Sequence, residues 1–412
     1  MQKNHAIKNY EKRPALMIYN FSLFWRMTYR SFVKTANTPG RLTKKRLIFL
    51  ALFYIVWIPV TIFTWICLGL DEIFFPAYKK HPVEKPLFIL SNYRSGSTFL
   101  HRLLSHDQRN FTSMRTWDIY IAPTVTQRKI VELLKKIDSL IGSPIYKVIK
   151  KIDQIGLQRV DIHPISFFEP EEDENILLHN WSSFMVVYLF PFLGSLPPYQ
   201  YFDRDLPTDE KNRIMAFYKS MLQRHLYATG APYFVSKNPS FSAKISTLKE
   251  FFPDARIIYL ARNPLDMLPS TVSWLNYAWN VFSEPAEKYI YQDEICEFSQ
   301  HWYRYPLSYL DKNPSANHLI LNYDDLIAHP KRIIRDFYTQ FGYKHKRNLD
   351  DAFTEGIKAT EARRSEHDYS YKEMGYTREG IVNTFSDIFE RFGFDKREPE
   401  SVEIEPILEA AD

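Results

Sequence analysis

The chain has 412 residues, of which 45% are apolar and 25% charged, with 53 Lys and Arg against 48 Asp and Glu. This balance excludes a disordered chain, a collagen-like repeat and a protein made only of membrane helices. The length fits one large α/β domain as well as two or three smaller domains.

The net charge of +5 is unevenly distributed along the chain. Residues 1–46 carry eleven Lys and Arg and one acid, a local charge of +10, which leaves −5 for the remainder. A nucleic-acid-binding protein would spread cationic residues over its folded face, and the folded part here is acidic. We therefore expect no nucleic acid as a partner, and we expect the basic arm to meet acidic lipid head groups.

Residues 47–70 form an uncharged apolar stretch of 24 positions, longer than the about 20 residues that cross a hydrocarbon core. Trp57, Trp65 and the basic triplet before the stretch favour lipid over a buried core. Pro59 divides the stretch into 12 and 11 residues, so a re-entrant hairpin in one leaflet is as feasible as a transmembrane span. The arm, residues 1–46, interleaves aromatic and basic side chains as an interfacial helix does.

Two patterns disagree on the membrane side of the remaining chain. The basic arm favours a cytoplasmic N-terminus, from which a single span would export everything that follows. Cys67 and Cys296 are the only cysteines, so residues 71–412 cannot form an internal disulfide, and cysteine usage gives export no support. The sequence leaves the membrane side open.

Beyond residue 86 the pattern becomes that of an α/β domain. Short apolar runs, each followed by a turn and a helical pattern, occur at 87–90, 233–236, 256–261 and 318–321. Strands that alternate with helices predict a P-loop-like central parallel sheet flanked by helices, with ligands at the carboxyl ends of the strands.

The domain limits follow from changes in composition. We assign residues 71–395 to the α/β domain and residues 396–412 to a flexible tail. Residues 115–225 are mostly helical in pattern and rich in aromatic side chains, and we interpret them as a helical cap inserted over the site.

The first strand and the next helix are joined by Arg94, Ser95, Gly96, Ser97 and Thr98. Glycine permits close backbone approach, and a helix N-terminus directs free N–H groups and a positive dipole end at an anion. The loop therefore predicts a phosphate or sulfate site, with a plain strand-to-helix turn as the alternative. Ser91 and Ser97 replace the first Gly and the Lys of the triphosphate loop GxxxxGK[ST], which disfavours an ordinary ATPase or kinase.

A second candidate anion motif follows the third predicted strand. Arg262 stands at the end of this strand, and Ser270 follows eight residues later on the next helix. Arginine binds a phosphate through two parallel N–H donors and serine adds a third donor. The pair could therefore hold a second phosphate.

Together these motifs resemble those of the sulfotransferases that use 3′-phosphoadenosine 5′-phosphosulfate (PAPS). YRSGSTFLHRLL is similar to their 5′-phosphosulfate loop, IIYLARNPLDMLPS to their 3′-phosphate strand and helix, and YDDLIAHPKRIIRDFYTQFG to their tail motif. The order of elements from about residue 86 to 395 fits this family, whereas the membrane segment lies outside the resemblance.

The resemblance implies roles for individual residues in donor binding. Arg94 would contact the oxygen that bridges phosphate and sulfate, and Lys237 would contact the sulfuryl group. Residues 95–98 would bind the 5′-phosphate, and Arg262 with Ser270 the 3′-phosphate. A basic loop that contains Arg363 and Arg364 would close over the nucleotide. The alternative is that these two arginines are a solvated charge pair.

A neutral acceptor alcohol needs a base. In many cytosolic members of the family the base is a His that lies two residues after the lysine corresponding to Lys237. In this chain that position is Pro239. The densest supply of bases is His163 with the run 169–174, EPEEDE, in which crowding raises the pKa of any buried carboxylate. A similar acidic motif occurs in the bacterial branch of the family, so we predict Glu172 as the base, with Glu169 and His163 as the next candidates. The alternative is that the run is a solvated acidic helix start.

The sequence thus predicts a membrane-anchored sulfotransferase that moves a sulfuryl group in line from PAPS to an acceptor hydroxyl, with a carboxylate base and no metal. The short link between membrane segment and domain, and the aromatic cap, favour a lipid or another amphiphile as acceptor. Two other functions stay open at this point: a non-catalytic nucleotide-binding membrane adaptor and a P-loop kinase, which would need ATP and Mg²⁺.

Overall fold

The structure is a computed structural model, and it describes residues 19–157, 166–285, 287–344 and 371–396. Some of the residues discussed above lie outside the described residues: His163, Arg363, Arg364, residues 1–18 of the arm and residues 397–412 of the tail.

A parallel five-stranded sheet forms the centre of the domain. Its strands are β1 Leu87–Ser91, β2 Phe111–Thr112, β3 Tyr233–Lys237, β4 Arg256–Ala261 and β5 His318–Asn322, in the order β2-β3-β1-β4-β5. All the pairs are parallel, which confirms the predicted fold class. The two-residue edge strand β2 was not predicted, because it is too short to produce a pattern.

Helices surround this sheet and form the cap. They are α1 Phe21–Arg30, α2 Lys44–Phe74, α3 Ser97–Ser105, α4 Thr116–Tyr120, α5 Val125–Leu140, α6 Pro144–Ile152, α7 Val186–Leu189, α8 Phe202–Asp205, α9 Thr208–Thr229, α10 Ile245–Phe251, α11 Pro264–Phe282, α12 Gln292–Lys312, α13 Tyr323–Ala328, α14 Pro330–Phe341, α15 Arg378–Thr384 and α16 Ser386–Phe392. Segments of 3₁₀ helix lie at Pro76–Lys80, Asp173–Asn180, Leu193–Ser195, Tyr199–Tyr201, Pro239–Lys244 and Lys372–Met374, and a π-helical turn lies at Asp153–Leu157.

The central strands are buried on both faces, as their continuous apolar runs predict. Every residue of β1 and β4 is buried. Because side chains alternate along a strand, Leu87 and Ile89 join one apolar core, whereas Phe88 and Leu90 join the other. The sheet is therefore a rigid layer, and its carboxyl edge is a fixed platform for a site.

The apolar segment forms most of α2, which runs unbroken through Pro59. The re-entrant hairpin that Pro59 could have formed is therefore not present, since the helix continues on both sides of the proline. Of the described residues, those of α2 alone form a helix long and apolar enough to cross a bilayer, by length and composition only.

One side of α2 packs against the domain along the length of the helix. Its buried positions recur at helical spacing and include Arg46, Leu50, Thr61, Thr64, Leu68 and Asp71. Near its middle, the indole N–H of Trp65 donates to the carbonyl of His179 over 2.9 Å.

A buried ion pair fixes the C-terminal end of α2. The Asp71 carboxylate lies 2.9 Å from Arg224 Nε, and the two side chains are 0% and 1% exposed. The same carboxylate accepts the backbone N–H groups of Val125, over 3.0 Å, and of Thr126, over 2.8 Å. Asp71 thus joins the end of α2, the start of α5 and the C-terminal half of α9.

Candidate active site at the carboxyl edge of the sheet

Three neighbouring strands bring the predicted site residues together. Strands β3, β1 and β4 lie side by side in the sheet, with Ile89 of β1 in register with Lys237, the last residue of β3. Because the strands are parallel, their carboxyl ends lie at the same edge of the sheet. This edge therefore carries Lys237, the loop at 92–96 and Arg262. The sequence predicts that these groups belong to one site, and the strand order β3-β1-β4 explains how they come close together.

The loop after β1 packs tightly against Tyr323 and leads into the N-terminus of a helix. Gly96 has φ +81°, and a Cβ atom there would lie 2.3 Å from the ring of Tyr323, so only glycine fits. Arg94 also has a positive φ of 59°, an uncommon conformation outside glycine. The following helix, α3, starts at Ser97 without a side-chain cap from Gly96, and its first N–H groups can therefore serve an anion.

The two anion motifs are in direct contact. Arg262 Nη1 donates to the backbone carbonyl of Arg94 over 2.8 Å, and Arg94 Nε donates to Ser270 Oγ over 2.9 Å. The guanidinium of Arg262 also lies 4.6 Å from the ring centre of Tyr323. Its Nε is buried and makes no hydrogen bond within the described ranges, and the Asp266 carboxylate lies 3.8 Å away. Such a donor fits an anionic ligand, because leaving it unsatisfied costs free energy.

The carboxylate of Glu172 and the ammonium of Lys237 form a shielded pair at this edge. Glu172 Oε1 lies 2.6 Å from Lys237 Nζ, and the side chains are 13% and 2% exposed. Burial raises the pKa of Glu172 to about 7, while the neighbouring positive charge of Lys237 acts in the opposite direction. A carboxylate with this pKa is part ionised near neutral pH, which suits a general base.

Three tyrosine hydroxyls are electrostatically coupled to the Glu172 carboxylate. The hydroxyl pKa values of Tyr93, Tyr120 and Tyr188 are raised, mainly by burial, with a further contribution from the negative charge of Glu172. The Tyr188 hydroxyl in turn accepts from the indole N–H of Trp274 over 3.3 Å. The base candidate thus stands in an aromatic environment.

The next two acids of the run have structural partners instead. Asp173 accepts from the hydroxyl of Tyr218 and, over 3.0 Å, from Asn238 Nδ2, and burial raises its pKa to about 6. Glu174 pairs with Lys244, and both side chains are 0% exposed. All residues from 173 to 180 are buried. For Asp173 and Glu174, the alternative of a solvated acidic helix start is therefore wrong.

Glu169 occupies a different place from Glu172. Its Oε2 lies 2.8 Å from Arg102 Nη2, and both residues line a cavity of about 590 Å³ beside α4 and α9. The described lining of this cavity includes neither Glu172 nor Lys237. The structure therefore separates two carboxylates that the sequence grouped together.

Sequence reasoning missed several polar and aromatic partners of the site. Tyr323 packs against Gly96 and Arg262, Asn238 holds Asp173, and the Tyr303 hydroxyl donates to the carbonyl of Arg262. Tyr323 and Asn238 directly follow β5 and β3, so the rule that ligands lie at carboxyl ends of parallel strands could have identified them. Tyr303, on α12, carried no such signal.

The described residues thus place a glycine-containing loop, a partly buried arginine and a carboxylate–ammonium pair at the carboxyl edge of one parallel sheet. Comparison with known proteins gives the family: residues 86–347 match the family model described as the Sulfotransferase family. This match covers more than half of the chain, and the protein therefore belongs to the sulfotransferases.

Mycobacterial proteins are among its relatives. Omega-hydroxy-beta-dihydromenaquinone-9 sulfotransferase Stf3 of Mycobacterium bovis is 23% identical over 353 residues, which are 83% of this chain and 84% of the relative. The crystal structure of sulfotransferase STF1 from Mycobacterium tuberculosis H37Rv is 18% identical, with a TM-score of 0.64 over 88% of this chain and 93% of that one. Sulfotransferase STF9 from Mycobacterium avium is 18% identical, with a TM-score of 0.62 over 80% and 82%.

These findings confirm the predicted resemblance to the bacterial-type sulfotransferases and the prediction that the chain is a sulfotransferase enzyme. Across the described residues, no group of three or more His, Cys, Asp or Glu side chains is arranged to hold a metal ion. The metal independence expected from the sequence stays a prediction.

Proposed function

We propose that the protein transfers a sulfuryl group in line from PAPS to the hydroxyl of a membrane lipid, with Glu172 as the base and no metal ion. The observation that carries the proposal is the buried Glu172–Lys237 pair, with its 2.6 Å contact, next to the anion loop of β1. In this proposal one edge of the sheet carries the base Glu172, the cation Lys237 that contacts the transferred group, and the site for the donor.

The donor site combines the two anion motifs. In this proposal residues 95–98 and the N-terminus of α3 bind the 5′-phosphate, while Arg262 and Ser270 bind the 3′-phosphate. The buried Nε of Arg262 supports this assignment, because a phosphate oxygen would satisfy it. Arg94 contacts both residues of the second motif, Arg262 through its carbonyl and Ser270 through its guanidinium, and in this proposal it stabilises negative charge on the departing nucleotide. The roles of Arg363 and Arg364 stay predictions.

In the transfer step the acceptor oxygen attacks sulfur while the bond from sulfur to the bridging oxygen breaks. Glu172 takes the hydroxyl proton, and the electron pair of the broken bond leaves on the 5′-phosphate of adenosine 3′,5′-bisphosphate. The Lys237 ammonium has three N–H donors, so it can hold Glu172 and a sulfuryl oxygen at the same time. Fixed positive charges of this kind stabilise the charge that develops in the transition state.

A lipid acceptor is supported by the surroundings of Glu172 and by the relatives. Burial raises the pKa of Glu172 and of the hydroxyls of Tyr93, Tyr120 and Tyr188, which its charge also affects, and such a low-dielectric site suits a hydroxyl on an apolar molecule. By its name, the mycobacterial relative acts on a hydroxylated dihydromenaquinone. We extend this class of acceptor, a hydroxylated isoprenoid or quinone lipid, to the present protein, and we place the protein at the membrane through α2.

Calorimetric titration tests the donor part of the proposal. Detergent-solubilised protein in EDTA should bind adenosine 3′,5′-bisphosphate in the micromolar range and should bind ATP at least tenfold more weakly. A preference for ATP with Mg²⁺ would contradict the assignment and favour a P-loop kinase. Binding of the bisphosphate without any transfer from PAPS to hydroxylated lipids would instead favour a non-catalytic adaptor.

A further inference from the structure

Exposed apolar side chains are concentrated in one part of the chain. Of the large apolar residues that are exposed in the described ranges, all but Tyr227 and Val281 lie between Phe21 and Ile155. They belong to α1, α2, α5 and α6 and to the turns beside these helices. Soluble proteins rarely expose contiguous apolar patches of this extent, and such patches mark interaction or membrane surfaces.

Helix α2 lies along the domain instead of leaving it. Near its N-terminal end Arg46 Nη2 donates to the carbonyl of Leu189 over 2.8 Å, and near its C-terminal end Asp71 pairs with Arg224 at 2.9 Å. Both ends of a helix of 31 residues, about 46 Å long, are thus bonded to the same domain. The opposite side of the helix is apolar and open, with Ile55 69% exposed.

The α5–α6 hairpin continues this exposed apolar surface. Helix α6 has no buried residue. The Asp138 carboxylate fixes the hairpin by accepting the N–H groups of Ile145, over 2.9 Å, and Tyr146, over 3.0 Å. At helical spacing, Ile145, Ile149 and Ile152 fall on one side of α6, whereas its lysines fall on the other. This is the pattern of a helix that lies in a membrane interface.

The four helices contact one another in series. The Tyr54 hydroxyl of α2 donates to Thr28 Oγ1 of α1 over 2.8 Å, and Gln127 Nε2 of α5 donates to Thr64 Oγ1 of α2 over 3.0 Å. Asp138 connects α5 to α6, as described above. We call the exposed apolar side chains of α1, α2, α5 and α6 the four-helix face.

The charge around this face is complementary to an anionic membrane. Residues 125–152 expose one acid, Glu132, and six lysines: Lys129, Lys135, Lys136, Lys147, Lys150 and Lys151. Lysines next to an apolar surface favour acidic lipid head groups over a neutral protein partner. Their long aliphatic stems can also cover apolar surface while the ammonium groups stay in water.

We propose that the four-helix face enters one leaflet of an anionic bilayer, so that α2 lies in the membrane plane and does not cross it. The inference rests on the membrane association in the proposed function and specifies its geometry. In this arrangement the whole catalytic domain and both ends of α2 are on one side of the membrane.

Two tryptophans of α2 contact the segment of chain that follows Glu172. Trp57 stacks on the His179 ring with 5.3 Å between centres, and Trp65 donates to the His179 carbonyl. His179 belongs to the buried 3₁₀-helical segment Asp173–Asn180, which starts directly after Glu172. Helix α2 is thus packed directly against the segment that follows the proposed base.

Cysteine labelling tests the geometry. The full chain with Cys67→Ala and Cys296→Ala receives a single cysteine, through Lys44→Cys at the start of α2 or Ala77→Cys beyond its end, and is added to sealed vesicles of phosphatidylcholine and phosphatidylglycerol. A membrane-impermeant maleimide outside the vesicles should label both positions equally before and after permeabilisation. Labelling of one position only after permeabilisation would show that α2 crosses the bilayer and would overturn the proposal.

Vesicle flotation tests the face itself. Tyr29→Glu in α1 and Val148→Glu in α6 should each lower the floated fraction at least fivefold, whereas the matched control Tyr227→Glu, outside the face, should float like the parent. Equal flotation of all three variants, or equal binding to vesicles of phosphatidylcholine alone, would contradict the proposal. Turnover of a soluble alcohol in the same variants should be unchanged, which separates loss of attachment from failure of the sulfotransfer assignment.

Discussion

Substitution of the base provides the sharpest test of the mechanism. Glu172→Gln keeps the shape of the side chain and leaves Lys237 an oxygen acceptor in place of the carboxylate at 2.6 Å. The amide cannot take a proton from the acceptor. A positioned general base contributes about 10²- to 10⁴-fold to a rate, so kcat should fall at least about 100-fold, or about 2.7 kcal/mol of transition-state stabilisation.

The pH dependence follows from the raised pKa of the same carboxylate. Glu172 acts as a base only when ionised, and burial raises its pKa to about 7. Below that value the ionised fraction falls about tenfold per pH unit, while at pH 8 about nine tenths of the carboxylate is ionised. For the parent enzyme kcat/KM should therefore fall as pH is lowered through 7, whereas the residual activity of Glu172→Gln should be independent of pH in this range.

The assay follows labelled sulfate from PAPS into an alcohol acceptor between pH 5.5 and 8.5. Affinity for adenosine 3′,5′-bisphosphate should stay within about threefold of the parent value, because the substituted group is not a phosphate ligand. Glu171→Gln is the matched control: Glu171 Oε1 accepts the Glu172 N–H over 2.8 Å, a bond that a glutamine oxygen also makes. Unchanged turnover in Glu172→Gln, or a similar loss in Glu171→Gln, would refute the assignment of the base.

Other substitutions test donor binding and stability. Arg262→Ala should weaken binding of adenosine 3′,5′-bisphosphate at least about 30-fold in calorimetry, since breaking a hydrogen-bonded charge pair costs about 2 kcal/mol or more. Gly96→Ala should abolish this binding, because its Cβ would lie 2.3 Å from an aromatic ring, whereas Gly393→Ala, with φ +62° and open space around it, should bind normally. Arg224→Ala should lower the free energy of unfolding in urea by about 3 to 5 kcal/mol, because it leaves the buried Asp71 carboxylate without its cation.

These three predictions have distinct controls. Arg304, which is 45% exposed in its ion pair with Asp387, is a surface arginine whose change to Ala should alter neither donor affinity nor stability by more than about 1 kcal/mol. An Arg262→Ala protein with the parent dissociation constant would remove the second anion site. Equal losses of binding in the two glycine variants would mean that backbone strain, and not the contact at Gly96, is responsible.

The sheet could be predicted from local patterns because its central strands, β1 and β4, are buried on both faces. Four of its strands lie on the short apolar runs identified in the sequence. Strand order could not be read from sequence, because it depends on crossovers. For this reason the contact of Arg262 with the Arg94 carbonyl, 168 positions apart, emerged only in the structure.

The candidate base was harder to predict because the acidic run looks uniform in sequence. Its carboxylates are distinguished by partners from distant parts of the chain, such as Lys237 for Glu172 and Lys244 for Glu174. Hydropathy likewise identified the apolar stretch of α2 but ended it at residue 70. Asp71 continues the helix because Arg224, 153 positions away, pairs with its charge.

Transfer of labelled sulfate tests the central claim most directly. The full-length protein, in EDTA and bound to anionic vesicles that contain a long-chain isoprenoid alcohol, is incubated with ³⁵S-labelled PAPS, and the lipids are extracted and separated. The account predicts a labelled, base-stable sulfate ester of the lipid together with stoichiometric adenosine 3′,5′-bisphosphate, and its loss in Glu172→Gln. An unlabelled lipid fraction despite micromolar binding of the bisphosphate, across alcohol, phenol and quinol acceptors, would contradict it.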